Sequence, residues 1–154
     1  MPIQVLLVED SPGDIRLTRE AFRGSELSVC FHVALDGVDA LAFLKHEGVH
    51  ALAPRPDLIL LDLDLPRMSG REVLTHIKAD AELKSIPTIV LSDSEFGVDV
   101  AMCYQSRANC YLCKPSGVNE FQRLVRETGD FWFKRVLLPP SEPIDKPRDG
   151  DSSD

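Results

Sequence analysis

Residues 58–66 read Leu58-Ile59-Leu60-Leu61-Asp62-Leu63-Asp64-Leu65-Pro66, and this stretch decides the fold. Its first four residues are an unbroken apolar run, the pattern of a short strand covered on both faces. Strands of that kind belong to parallel sheets, in which every connection crosses over and is commonly a helix. Asp62 then stands at the carboxyl end of a buried strand.

The same alternation continues on either side. Upstream, Ile3-Gln4-Val5-Leu6-Leu7-Val8 is a β-rich run stopped by Glu9-Asp10. Ser11-Pro12 supplies a helix start, a hydroxyl cap followed by proline where no N–H is needed, and Leu17, Ala21 and Phe22 share one face of that helix. A second strand is expected over about 27–34. Asp36-Gly37 turns the chain into a helix striped by Val38, Leu41, Ala42 and Leu44. Downstream, Ser69-Gly70 opens a third helix with Val73, Leu74 and Ile77 as its stripe. Pro87 introduces a strand over 88–91, and a fourth helix covers about 96–107. Cys110-Tyr111-Leu112 forms a fifth strand, and a long last helix runs over 118–138. Five strands alternating with five helices predict an α/β fold, a doubly wound parallel sheet with helices on both faces.

At 154 residues the chain is long enough for one ordinary domain. It carries 25 acidic against 17 basic residues, a net charge of -8, which argues against direct binding to nucleic acid or an anionic membrane. No apolar run approaches the roughly 18 residues of a spanning helix. Met1-Pro2-Ile3-Gln4 lacks the pattern of a signal peptide, so a cytoplasmic protein is expected, with its 4 cysteines reduced. The folded domain is expected over 1–138. Residues 139–154 are rich in Pro, Asp and Ser, with Ile144 the one apolar residue, and read as a disordered acidic tail.

In open α/β sheets, ligands bind outside the carboxyl ends of the strands. Those ends carry Glu9 and Asp10, Asp62, Ser92 and Lys114. Acidic residues after a strand are individually unremarkable, since most are solvated loop residues. Three carboxylates, a hydroxyl and an amine from four strands are a different matter. Crowded carboxylates repel, and a hard divalent cation relieves the repulsion; Mg²⁺ suits a site of one or two carboxylates, waters and phosphate oxygens.

Glu9-Asp10, the Asp62-to-Pro66 stretch with Gly70, Ser92 and Lys114-Pro115 resemble the receiver domain of two-component response regulators, of the chemotaxis-regulator type, over about residues 3–138. The ending Phe131-Trp132-Phe133-Lys134-Arg135-Val136-Leu137-Leu138-Pro139 resembles more particularly the stand-alone regulators that partner bacterial phytochrome kinases. The resemblance implies a flavodoxin-like five-stranded sheet, a histidine kinase of the bacteriophytochrome type as partner, and Asp62 as phosphoacceptor. It implies Mg²⁺ held by Asp10 and Asp62, by Glu9 through water, and by the backbone carbonyl of Asp64. Lys114 would pair with Asp62 and then with the phosphoryl group, Ser92 would donate its hydroxyl to that group, and Tyr111 would be the aromatic switch that follows Ser92. The Lys114–Pro115 bond is of a type the family commonly uses in cis. By this reading the protein is no enzyme on a separate substrate; it promotes only its own phosphorylation and dephosphorylation, and its output is protein contact.

One position departs from the family pattern. After Ser92 a small residue is usual, and here Asp93 stands. Asp64 is also acidic where many relatives have asparagine. Both are expected to modulate phosphoryl lifetime rather than abolish phosphorylation. Two other readings compete: a receiver-like binding module that is never phosphorylated, and a haloacid-dehalogenase-type phosphatase, whose nucleophile motif Asp62-Leu63-Asp64-Leu65 also fits. The phosphatase motif normally ends a first strand, with its acidic pair late in the chain; here the pair comes first.

Two further motifs read better as structure. His46-Glu47-Gly48-Val49-His50 satisfies the H-E-x-x-H zinc pattern, yet Gly48 and Pro54 weaken the continuous helix that pattern needs. Cys110 and Cys113 have redox spacing, but residues three apart on a strand face opposite sides. In the last helix Val118, Phe121, Leu124 or Val125, Thr128, Trp132 and Val136 form the expected core stripe. Phe131, Trp132 and Phe133 are consecutive, and at about 100° per residue they cannot all enter one core. They are expected to help form a homodimer face beside the fourth helix and Tyr111; the competing expectation is that the helix ends early and the segment folds back over the domain.

Overall fold

The computed structural model describes residues 2–24 and 26–140; the segment 141–154, and with it nearly all of the expected acidic tail, lies outside the described residues. Five strands form one parallel sheet: β1 (Ile3–Val8), β2 (Val29–Ala34), β3 (Leu58–Leu61), β4 (Thr88–Ser92) and β5 (Cys110–Cys113). Their order across the sheet is β2-β1-β3-β4-β5. Helices α1 (Pro12–Arg23), α2 (Gly37–Leu44), α3 (Gly70–Ala79), α4 (Gly97–Gln105) and α5 (Val118–Asp130) make the crossovers and the C-terminal cover. This is the doubly wound arrangement expected, in the flavodoxin-like order.

The apolar runs are long because both faces of each inner strand are covered. Leu6, Val8, Ile59, Leu61 and Val90 pack toward α2 and α3. Their neighbours Val5, Leu7, Leu58, Leu60, Ile89 and Leu91 pack toward α1 and α5. Val8 lies beside Leu61 in register, so the residues that follow β1 and β3 leave the sheet side by side. Because the chain turns to opposite faces after these two strands, a crevice opens between them.

Helix starts match their caps. Ser11 Oγ accepts from Asp14 N–H, Asp36 from Asp39 N–H and Ser69 from Glu72 N–H, each satisfying an otherwise unpaired first-turn donor. Gly70 is required by close approach: a Cβ there would run into the backbone carbonyl of Asp62. Some expected stripe positions shift. Val38 and Val118 are exposed, and Ala40 and Phe43 complete the buried face of α2 instead. Val38 lies on the outer side of a first turn whose Gly37 and Ala40 are buried, and Val118 is the first residue of α5.

The last helix is shorter than expected. Regular α5 stops at Asp130, and Phe131–Arg135 make one wider turn closed by Val136 N–H donating to the Phe131 carbonyl at 3.0 Å. From Val136 the backbone is extended, and Pro139 and Pro140 lie against Pro56 and Pro87, at the end of the sheet away from the crevice. A five-residue turn sweeps a smaller angle per residue than an α-turn. That lets Trp132 and Phe133 both lie back on the α1–α5 side of the core, with Phe133 and Phe22 ring centroids 6.2 Å apart. Phe131 alone of the three is mainly exposed, at 56%. Of the three aromatics expected at a dimer face, Trp132 and Phe133 are thus partly buried against the domain's own core, and Phe131 is the one left outward.

Candidate functional site

The crevice between the ends of β1 and β3 gathers the expected groups. Glu9, Asp10 and Asp62 each place a carboxylate oxygen within 4.8 Å of the others. Glu9 and Asp62 are buried and Asp10 is exposed. Glu9 is fixed from two sides: Oε1 accepts from Ser11 N–H at 3.1 Å and Oε2 from Lys114 Nζ at 2.7 Å. Asp62 is held by its own strand end, Oδ1 accepting from Leu63 N–H at 2.8 Å. Asp64 is exposed and lines the same open groove as Ser69 and Ser92, between α3 and α4.

The charges are unbalanced. Burial, and then the negative charge of Glu9, push the Asp62 carboxyl up to about 7, against a partial pull downward from Lys114. Burial by itself would lower the Lys114 ammonium; hydrogen bonds to Glu9 and Asp14 overcome it and raise it. The donor set of hard carboxylate oxygens and the raised carboxyl of Asp62 both fit a divalent cation, which would relieve the repulsion.

Lys114 pairs with Asp62, as the resemblance implies, but Glu9 and Asp14 stand closer to its ammonium. Its Nζ is 2.9 Å from Asp14 Oδ2 and 3.7 Å from Asp62 Oδ2. Sequence reasoning missed Asp14. It lies 100 residues from the lysine, and its only local signal was an acid in the first turn of α1, where any acid is favourable. The Lys114–Pro115 bond is trans, as are all described peptide bonds, in contrast to the cis isomer the family commonly uses.

Ser92 is fully buried at the end of β4, and its Oγ accepts from Ser94 N–H at 3.2 Å. The Tyr111 hydroxyl donates to the Ser94 carbonyl at 2.8 Å. Ser94, also unforeseen, thus joins the two residues expected to move together. Asp93 is exposed, next to the buried serine that precedes it. His46 and Gly48 have positive φ (58° each), which breaks any helix through the H-E-x-x-H motif, and His50 is bonded to Asp39 at 2.7 Å. Cys110 packs on the core, while Cys113 is exposed.

A parallel sheet in this order, with an acid pair from β1 facing an aspartate from β3 and a lysine from β5, defines a receiver. The chain belongs to the response regulator receiver domain family, whose pattern matches residues 5–126. Among its relatives is response regulator Rcp1 of Synechocystis sp., 42% identical over 138 residues that cover 90% of this chain and 94% of that protein. Two solved structures are similar over the same span. The phosphorylated cyanobacterial phytochrome response regulator RcpA is 41% identical with a TM-score of 0.89, covering 91% of this chain and all of that one. The Mn²⁺-bound form of Rcp1 is 42% identical with a TM-score of 0.87, covering 90% and 100%. Family membership and the early position of the acid pair both weigh against the phosphatase reading. Among the described residues no helix is long and apolar enough to cross a membrane.

Proposed function

We propose that this response regulator accepts a phosphoryl group on Asp62 from a phosphohistidine of a kinase, of the kind that works with a bacterial phytochrome. The observation that carries this is the meeting of Glu9, Asp10 and Asp62 with a buried lysine at the crevice of the sheet. The relatives support the class of partner, since RcpA is a phytochrome response regulator.

In the proposed reaction an Asp62 carboxylate oxygen attacks phosphorus in line with the P–N bond. The O–P bond forms, the P–N bond breaks, and the imidazole leaves with its electron pair and takes up a proton. Asp10 and Asp62, Glu9 through water and the Asp64 carbonyl would hold Mg²⁺, which when bound offsets charge on the transferring oxygens. Lys114 supplies a second positive charge to those oxygens. Ser92 donates its hydroxyl to them, and the Ser92–Ser94–Tyr111 chain carries the change to the α4–β5 surface. Output is a two-state shift of that surface, biased by the phosphoryl group.

The receiver unit is taken as residues 1–138, acting in the cytoplasm, a compartment consistent with four free thiols. Self-association is proposed on the α4–β5–α5 side, with Phe131 rather than all three aromatics as its α5 contribution. Light scattering should find a dimer that Phe131→Ser weakens. A wild type that stays monomeric at high concentration, with and without phosphodonor, overturns that part.

The main test is direct. Incubation with Mg²⁺ and a small acyl phosphate should add one phosphoryl mass, abolished by Asp62→Asn and by chelation of the metal. No adduct, or one that survives Asp62→Asn, defeats the proposal and favours a binding module that is never phosphorylated.

A further inference from the structure

Lys114 has three N–H donors, and two of them are already engaged with carboxylates other than the phosphoacceptor. The lysine is almost wholly enclosed, its side chain 4% exposed, so its ammonium has few alternative positions. Glu9 holds it at 2.7 Å and Asp14 at 2.9 Å, whereas Asp62 stands at 3.7 Å. Glu9 belongs with Asp10 and Asp62 in the acid cluster that can take a metal; Asp14 does not. Its carboxylate is directed at the lysine from the first turn of α1. That turn is itself anchored, because Ser11 caps the helix through Asp14 N–H and is tied to Glu9 Oε1.

We infer that Asp14 is a positioning residue for Lys114. It draws the ammonium toward α1 while Asp62 is unphosphorylated, and it competes for the same ammonium with the phosphoryl oxygens. An exposed acid that merely favoured the start of α1 would have no reason to meet a buried lysine from β5. The consequence is that Asp14 weakens the hold of the site on a phosphoryl group. Its side chain is 32% exposed, so the competition is that of a partly solvated ion pair, worth about a threefold change in affinity.

The inference rests on the phosphoacceptor reading of Asp62, and the test separates the two. Beryllofluoride, a non-covalent analogue of the phosphoryl group, is titrated at saturating Mg²⁺ into the full chain and its Asp14→Asn and Asp14→Glu variants. Asp14→Asn should bind about threefold more tightly, and Asp14→Glu should return toward wild type. In the metal-free, analogue-free proteins, the NMR signal of the Lys114 ammonium should move in Asp14→Asn and be restored in Asp14→Glu. That second readout is insensitive to bulk charge and to a small loss of helix stability. Equal or weaker binding by Asp14→Asn, or an unmoved Lys114 signal, overturns the inference while wild-type binding preserves the reading of Asp62. A wild type that takes neither beryllofluoride nor phosphate overturns both.

Discussion

Arg67 grips Asp36 with two hydrogen bonds, Nε to Oδ2 at 3.0 Å and Nη2 to Oδ1 at 2.9 Å. This forked pair ties the loop between β3 and α3, which carries Asp64, to the cap of α2. Arg67 itself has a φ of 64°, a left-handed backbone that favours glycine, so the pair holds a turn the residue alone would resist. Its hydrogen bonds hold the Asp36 carboxyl below the usual carboxylate range.

Asp36→Ala is expected to cost about 1 kcal/mol, the usual loss for an aspartate cap, and Arg67→Ala less. Urea unfolding measures both. Because the Asp36 carboxyl is lowered in the folded chain, its contribution is present above the unfolded value and fades as pH falls. The difference between wild type and Asp36→Ala should therefore shrink on acidification; a constant difference would contradict the ionic part of the pair.

Asp62 predicts the opposite pH trend. Its carboxyl is raised to about 7 in the metal-free chain, so its contribution is present below the unfolded carboxylate range and is lost as pH rises through 7. With chelator present, Tm should fall between pH 5 and pH 8 (both about those values) more steeply in wild type than in Asp62→Asn. Divalent metal affinity should climb over the same interval as Asp62 ionises. Parallel Tm profiles for the two proteins would rule out the raised carboxyl.

Two glycines differ in what their substitution should disturb. At Gly129, a Cβ would overlap the Phe22 ring where α1 packs on α5. Gly129→Ala should destabilise by about 1–3 kcal/mol, the range for overpacked cores, and Phe22→Leu should recover part of that loss. At Gly70 the clash is with the Asp62 and Leu63 backbone. Gly70→Ala should therefore lower phosphorylation as well as stability, whereas Gly129→Ala phosphorylates normally once folded. Intact mass after incubation with phosphodonor distinguishes the two.

Asp93→Ala is expected to lengthen the life of the phosphorylated form. A carboxylate following Ser92 either repels the phosphoryl group or orients a water toward it, and removing it slows phosphate loss in both cases. The measurement is the decay of the phosphorylated mass after donor removal, and equal rates in the two proteins would exclude a role for Asp93.

The parts of the site that were legible in the sequence are those set by local pattern. Glu9-Asp10, Asp62, Ser92 and Lys114 each follow an apolar run, and a parallel sheet brings its strand ends together whatever the loops do. Asp14 and Ser94 were illegible for the opposite reason. Their roles depend on a lysine and a tyrosine far along the chain, and neither residue breaks a local rule. The last helix misled because its apolar spacing continues past Asp130 while the backbone changes to a wider turn. Spacing alone does not distinguish a face that continues from one that folds back.

The folding back of Trp132 has an optical consequence. The chain holds 1 tryptophan, and its indole lies among the α1–α5 side chains, while Tyr111 packs against the other layer across the sheet. Its emission is therefore a reporter of unfolding that stays quiet when metal or phosphate reaches Asp62, so changes at the site call for a probe placed near Tyr111.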